Sequence, residues 1–197
     1  MKRVQILSIV MAGLTLLVAG CTREGVKITT EDSAKAGAAQ KLYTAYNLWY
    51  EKPQRMYAIN YRRGTMIPAG TEVTAVRVRE SARRPKISFA TLPTQSEYTI
   101  YFRPKFFPGV TLQDLKDRLF TAKPLEERTA GLKPSEIKAI QRGSLVEGMC
   151  REAVLMTRGY PPSHETHSLD SNTWLYWENR FVKEAVRFDA NGRTIRE

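Results

Sequence analysis

The sequence predicts an α+β fold: a β-rich N-terminal half, then a C-terminal half of two helices and an antiparallel sheet. Three observations predict it. Short β-favouring runs separated by turn signals fill residues 42–102. Apolar residues recur at helical spacing over 111–120 and again over 134–159. An aromatic hairpin pattern then closes the chain from Trp174 onward.

The chain opens differently. Lys2 and Arg3 precede an apolar run, Val4 to Leu17, broken only by polar Gln5, Ser8 and Thr15. Small residues follow, Val18-Ala19-Gly20, directly before Cys21. A basic start, a short apolar core and a small-residue boundary read as a secretory signal over residues 1–20, too short for a stable membrane span. Val18-Ala19-Gly20-Cys21 resembles the lipobox of bacterial lipoproteins. That resemblance implies diacylglycerol on the Cys21 thiol, cleavage before Cys21 and acylation of the new amine. Several acyl chains would then hold the protein stably on a bilayer, because each buried methylene contributes about 0.8 kcal/mol. Thr22, rather than Asp, follows the cysteine, and this favours the outer membrane, facing the periplasm.

The full chain carries a net charge of +11, and loss of residues 1–20 leaves +9. An envelope address argues against nucleic acid as the partner for that charge. Anionic lipid, lipopolysaccharide phosphate and peptidoglycan carboxylates are the acidic partners at hand, and envelope or outer-membrane proteins are the expected protein partners. With Cys21 lipidated, Cys150 has no partner for an internal disulfide.

Residues 21–40 are small and polar and read as a flexible tether, with a helical piece allowed at 31–41. A β-rich domain ending in a helix is expected over 41–122. Its strands draw on Leu42-Tyr43, Leu48-Trp49-Tyr50, Tyr57 to Tyr61, Glu72 to Arg79, Lys86 to Ala90 and Glu97 to Phe102. Within Glu72–Arg79 the alternation is imperfect: Val73, then Ala75 or Val76, then Val78. Ile67-Pro68-Ala69-Gly70-Thr71 is a turn, and with Val73 it resembles the turn–strand unit of bacterial SH3-like barrels. Thr111 and Asp114 have capping-box spacing, and Leu112, Leu115, Leu119 and Phe120 make the apolar stripe of the following helix. Residues 121–132 read as a polar connector.

An α+β domain is expected over 132–197. Pro134 suits a first helical turn, Ile137 and Ile140 the buried face, and Gly143 the stop. A second helix follows Gly148, with Met149, Ala153, Val154 and Met156 apolar and Gly159 closing it before Pro161-Pro162. Trp174 to Trp177 and Ala185 to Phe188 form strands around Phe181-Val182, and Asp189-Ala190-Asn191-Gly192 turns the chain into a last short strand. This order, with Gly148-Met149, Gly159-Tyr160-Pro161-Pro162 and Phe188-Asp189-x-Asn191-Gly192, resembles the SmpA/OmlA (BamE-type) outer-membrane lipoproteins. The resemblance implies two helices packed on a three-stranded antiparallel sheet, and an outer-membrane protein attached to assembly machinery.

No catalytic residues are assigned, and no cofactor or metal is expected. His164 and His167, with Glu165 and Asp170, offer metal-ligand types, but they lie in a loop and lack the His-Glu-x-x-His spacing of a helical zinc site. Ser163, His164 and Asp170 lie too close in sequence for a hydrolytic triad. Cys150, near a helix start, is either a reactive low-pKa thiol or a small buried residue. The expected function is binding. Trp174 and Tyr176, which share one face of their strand, and Trp49 and Tyr50 are the candidate interaction residues, since exposed aromatics with Arg mark hot spots. A peptidoglycan-binding module is the alternative, and a metal enzyme using His164 and His167 a second.

Overall fold

β-Branched and aromatic side chains favour pleated, half-buried surfaces, and the first such runs build most of a curled six-stranded sheet. A computed structural model describes residues 40–195. The expected signal segment and Cys21 lie outside the described residues. So do the tether and the helical piece at 31–41, apart from Gln40 and Lys41, which are not helical. The chain is α+β, and the described residues belong to one compact unit.

The strands are β1 (Leu42–Thr44), β2 (Leu48–Tyr50), β3 (Met56–Tyr57), β4 (Thr65–Ile67), β5 (Glu72–Arg79), β6 (Lys86–Thr91) and β7 (Ser96–Tyr101). After α1 (Leu112–Leu119) comes the two-residue β8 (Phe120–Thr121). The six-stranded sheet has the order β3-β7-β6-β5-β1-β8, and β2 pairs separately with β4. Its partners are antiparallel except at the β3 edge, where β3 runs parallel to β7. The imperfect alternation of β5 has a structural cause. The register against β6 shifts between Thr74 and Arg77, with Ala75 at φ 51°. The extra residue of this bulge returns Val76 to the core side that Val73 occupies.

Helix α1 starts with the expected capping box: the Thr111 side chain accepts from the Asp114 N–H, and the Asp114 carboxylate accepts from the Thr111 N–H. Leu112, Leu115 and Leu119 are buried. Phe120 does not extend this helix. It leaves the helical conformation and pairs with Thr44 as the start of β8. Two other expectations also need correction. Tyr57 to Tyr61 is not a strand, because the chain turns after Tyr57 and Asn60 sits at φ 53°. The 121–132 connector contains a short helix, α2 (Leu125–Thr129), beginning after Pro124. Phe181 and Val182 occupy a hairpin loop.

The C-terminal part consists of α3 (Pro134–Arg142), α4 (Arg151–Arg158), β9 (Thr173–Trp177), β10 (Lys183–Phe188) and β11 (Thr194–Ile195). The last three form an antiparallel sheet in the order β11-β10-β9. Gly143 ends α3 in the left-handed region, φ 64°. Gly159 ends α4 at φ 77°, and a Cβ there would stand 2.5 Å from Cε2 of Tyr46. That close approach seats Tyr46 of the β1–β2 link against the end of α4.

Two apolar clusters fill the interior. One packs the six-stranded sheet against α1, around Leu48, Ile87, Phe89, Ile100 and Leu119. The other packs α3 and α4 on the three-stranded sheet, around Ile140, Val154, Met156, Trp174 and Phe188. Ile137, expected on the buried face of α3, is only half-buried, and Ala139 takes its place. Buried amides join the two clusters. Asn47 donates from Nδ2 to the Ile140 carbonyl (2.7 Å) and from its backbone to the Met156 carbonyl (3.0 Å). Its Oδ1 accepts from the Ala69 N–H (2.7 Å). Asn60 Nδ2 donates to the Arg158 carbonyl (3.0 Å) and to the Asn47 carbonyl (2.9 Å). The Ile140, Met156 and Arg158 carbonyls, in the last turns of α3 and α4 where helical bonding runs out, thus find donors from the other half of the molecule.

Candidate aromatic–arginine interaction cleft

The strand alternation of β9 decides which aromatics can meet a partner. Trp174 and Tyr176 point inward and Leu175 and Trp177 outward. Trp174 is fully buried, edge-on to Phe188 at 4.7 Å, with the Arg151 guanidinium over Phe188 at 4.3 Å. Tyr176 is also buried; its hydroxyl donates to the Gly159 carbonyl (2.9 Å), and burial pushes its pKa well up. The two residues expected as an interaction surface are therefore core residues. The helices claim their face of the sheet, leaving Trp177 on the open one.

Trp177 belongs to a cleft of about 360 Å³ between the β3–β7 edge and the β9–β10 hairpin. Its walls are Tyr57, Tyr61, Tyr101, Phe106 and Trp177, and three exposed arginines, Arg55, Arg103 and Arg180, stand around it. Buried Ala58, Ile59 and Phe107 supply hydrocarbon to its lining. Tyr57 and Tyr61 meet edge to face at 6.2 Å. Arg55 Nε donates to the Tyr57 hydroxyl (3.0 Å), and the Arg103 guanidinium lies 5.6 Å from the Tyr57 ring centroid. Burial raises the Tyr61 pKa, while the positive charges of Arg103 and Arg180 oppose that rise. Both guanidinium groups therefore act on the same phenol.

His164 braces one wall. Its Nδ1 is 2.9 Å from the Phe106 carbonyl, and its ring stacks with Trp177 at 6.4 Å and 14°. Glu165 lies 3.3 Å from His164 Nε2 and 2.7 Å from Lys183 Nζ, and Lys183 Nζ in turn lies 4.7 Å from the Trp177 ring centroid. His167 is elsewhere, with Nδ1 3.1 Å from the Ser163 carbonyl. Among the described residues no three His, Cys, Asp or Glu side chains converge to hold a metal.

Trp49 and Tyr50 line an adjoining cleft that shares Arg55, Tyr57, Tyr61 and Arg180 with the first. Both are half-buried. Tyr50 meets Tyr98 edge-on at 5.2 Å, and its hydrogen bond with Tyr98 raises its pKa. The band of aromatic and basic side chains thus continues from Trp177 to Trp49. Next to Arg180 the hairpin exposes Phe181 (83%), whose ring centroid lies 5.5 Å from the Arg180 guanidinium, and Val182 (46%).

Cys150 caps α4: its Sγ accepts from the Ala153 N–H at 3.5 Å. Half-burial pushes the thiol pKa up, and the neighbouring Glu136 carboxylate adds to the rise. This overturns the low-pKa alternative, because loss of solvent outweighs the helix N-terminus.

The sequence reading passed over Tyr57, Tyr61, Arg103, Phe106 and Arg180 as site residues. Arg103 and Arg180 each adjoin an aromatic residue in sequence, Phe102 and Phe181. That was the available signal, although it does not say which aromatics share a cleft. The chain matches no known protein family, no curated protein and no solved structure.

Proposed function

We propose that this chain is a bacterial envelope lipoprotein, held on the outer membrane by an acylated Cys21, whose folded body binds a neighbouring protein as a scaffold or adaptor. The observation that carries the reading is the run from Lys2 to Cys21, a basic start, an apolar core and the lipobox-like Val18-Ala19-Gly20-Cys21. The packing of α3 and α4 on β9, β10 and β11 is in keeping with an SmpA/OmlA-like arrangement over residues 132–197. The aromatic–arginine band supports a binding role, since Trp, Tyr and Arg dominate interface energetics.

Cell fractionation of Cys21→Ser tests the anchor. Wild-type protein is expected in the outer-membrane fraction and the variant in the soluble periplasm; a variant still in the membrane overturns the anchor. A photo-crosslinking side chain at Phe181 in intact cells tests the binding role. One discrete protein adduct is expected, and none overturns it.

A further inference from the structure

We propose that the cleft between the β3–β7 edge and the β9–β10 hairpin holds an acidic peptide segment of the partner protein, its carboxylates on Arg103 and Arg180 and an apolar side chain against Phe106 and Trp177. This rests on the protein-binding role proposed above and names the chemistry of the partner.

Charge is the first argument. Neighbouring arginines have carboxylates: Arg62 pairs with Glu178, Arg63 with Glu51 at 3.2 Å and Arg158 with Glu184 at 2.6 Å. Among the described residues, Arg55, Arg103 and Arg180 pair with none. Three like charges around one cleft repel one another and attract an anion. Guanidinium groups bind carboxylates through paired, charge-assisted hydrogen bonds.

The lining is the second argument. No Asp, Glu, Asn or Gln lines this cleft. Sugar hydroxyls are donors as well as acceptors, and the only side-chain acceptors in this lining are tyrosine hydroxyls, of which that of Tyr57 already accepts from Arg55, which disfavours a cell-wall glycan. A carboxylate needs donors only, and Arg55, Arg103, Arg180 and the tyrosine hydroxyls supply them. The buried Ala58, Ile59 and Phe107 require an apolar group beside the charge.

Size is the third. About 360 Å³ lies at the low end of ligand sites. It suits one or two side chains of a peptide better than the acyl chains of a phospholipid. The exposed Phe181, stacked beside Arg180, and Val182 after it give the rest of such a segment an apolar surface to cross.

The test uses the full chain purified in detergent and a fluorescein-labelled synthetic peptide alternating aspartate with phenylalanine, read by anisotropy. Saturable binding is expected. Arg103→Ala and Arg180→Ala should each weaken it about tenfold, the scale of one charge-assisted hydrogen-bonded pair. Arg83→Ala, on the exposed β5–β6 loop, should leave it unchanged. Replacing aspartate by lysine, or phenylalanine by alanine, should abolish binding or reduce it at least tenfold. Both arginines are exposed, so an unchanged melting temperature will show that the variants fold.

No peptide binding, or equal binding by the arginine variants, overturns the proposal. So does binding of peptidoglycan sacculi or phosphatidylglycerol vesicles that depends on Arg103 and Arg180 while the peptide fails to bind. If the Phe181 crosslink to a cellular protein survives both arginine substitutions, this cleft assignment falls and the broader protein-binding reading stands. Absence of any cellular adduct with both arginines intact removes that broader reading as well.

Discussion

At the scale of single residues, Cys150 shows how environment decides chemistry. A thiol at a helix N-terminus gains from the N–H groups there, yet half-burial and the adjacent Glu136 carboxylate drive its pKa upward. Its place in the fold is that of an N-cap, with sulfur accepting weakly where an oxygen would accept well. Iodoacetamide labelling of native protein at pH 7.5, followed by mass spectrometry, should therefore be slower at Cys150 than at a free cysteine in a short unstructured peptide. Labelling as fast as the peptide would contradict the raised pKa. The alternation in β9 was legible in the sequence, and it separated Trp174 and Tyr176 from Trp177. Which face turned inward was not legible. That depended on where α3 and α4 landed, and a period of two carries no such information.

At the scale of elements, the carboxylate of Glu136 holds three of them together. It accepts from the Lys133 N–H (2.8 Å) at the start of α3, from the Cys150 N–H (2.7 Å) at the start of α4 and from Arg193 (2.9 Å) before β11. Burial pushes this carboxyl pKa up, but the hydrogen bonds from Lys133 and Cys150 and the charge of Arg193 outweigh it and leave the pKa lowered. A group whose folded pKa lies below its unfolded one stabilises fully above the unfolded value, and loses that stability as pH falls through the folded one. Glu136→Gln should thus cost about 1–3 kcal/mol at neutral pH, the range for an unsatisfied buried site. The penalty should shrink in the acid range, with thermal melts from pH 7 to pH 3 as the measurement. A constant penalty would show that packing, not charge, matters. Pro134, Gly143, Thr111 and Asp114 announced their helix ends through local chemistry. Helix α2 and strand β8 were hidden for the opposite reason: at five and two residues they are too short for a periodic signal.

At the scale of the whole molecule, the sequence reads as two halves because its texture changes near residue 121. Asn47 and Asn60, which cross between the two apolar clusters, sit in sequence like ordinary turn residues. Nothing local marks either as buried, because the helix carbonyls they satisfy lie about ninety residues away along the chain, as with the Asn47–Ile140 separation of 93. The buried Asn47 amide is costly to remove, since the Ala69 N–H that it leaves without a partner costs about 1–3 kcal/mol. Urea unfolding followed by tryptophan fluorescence and by far-ultraviolet circular dichroism should give one coincident transition. Asn47→Ala should move both curves together to lower urea, and separation of the two would mean that the halves unfold independently. The position of β1 has one more consequence. It lies between β5 and β8 rather than at an edge, and Ala45 N–H also reaches the Leu119 carbonyl at 2.7 Å. A pull on the chain at residue 40 that runs along the strand would load the bonds on both flanks of β1 in shear, together, rather than unzip them one by one, so traction transmitted along the N-terminal end would meet the mechanically stronger geometry.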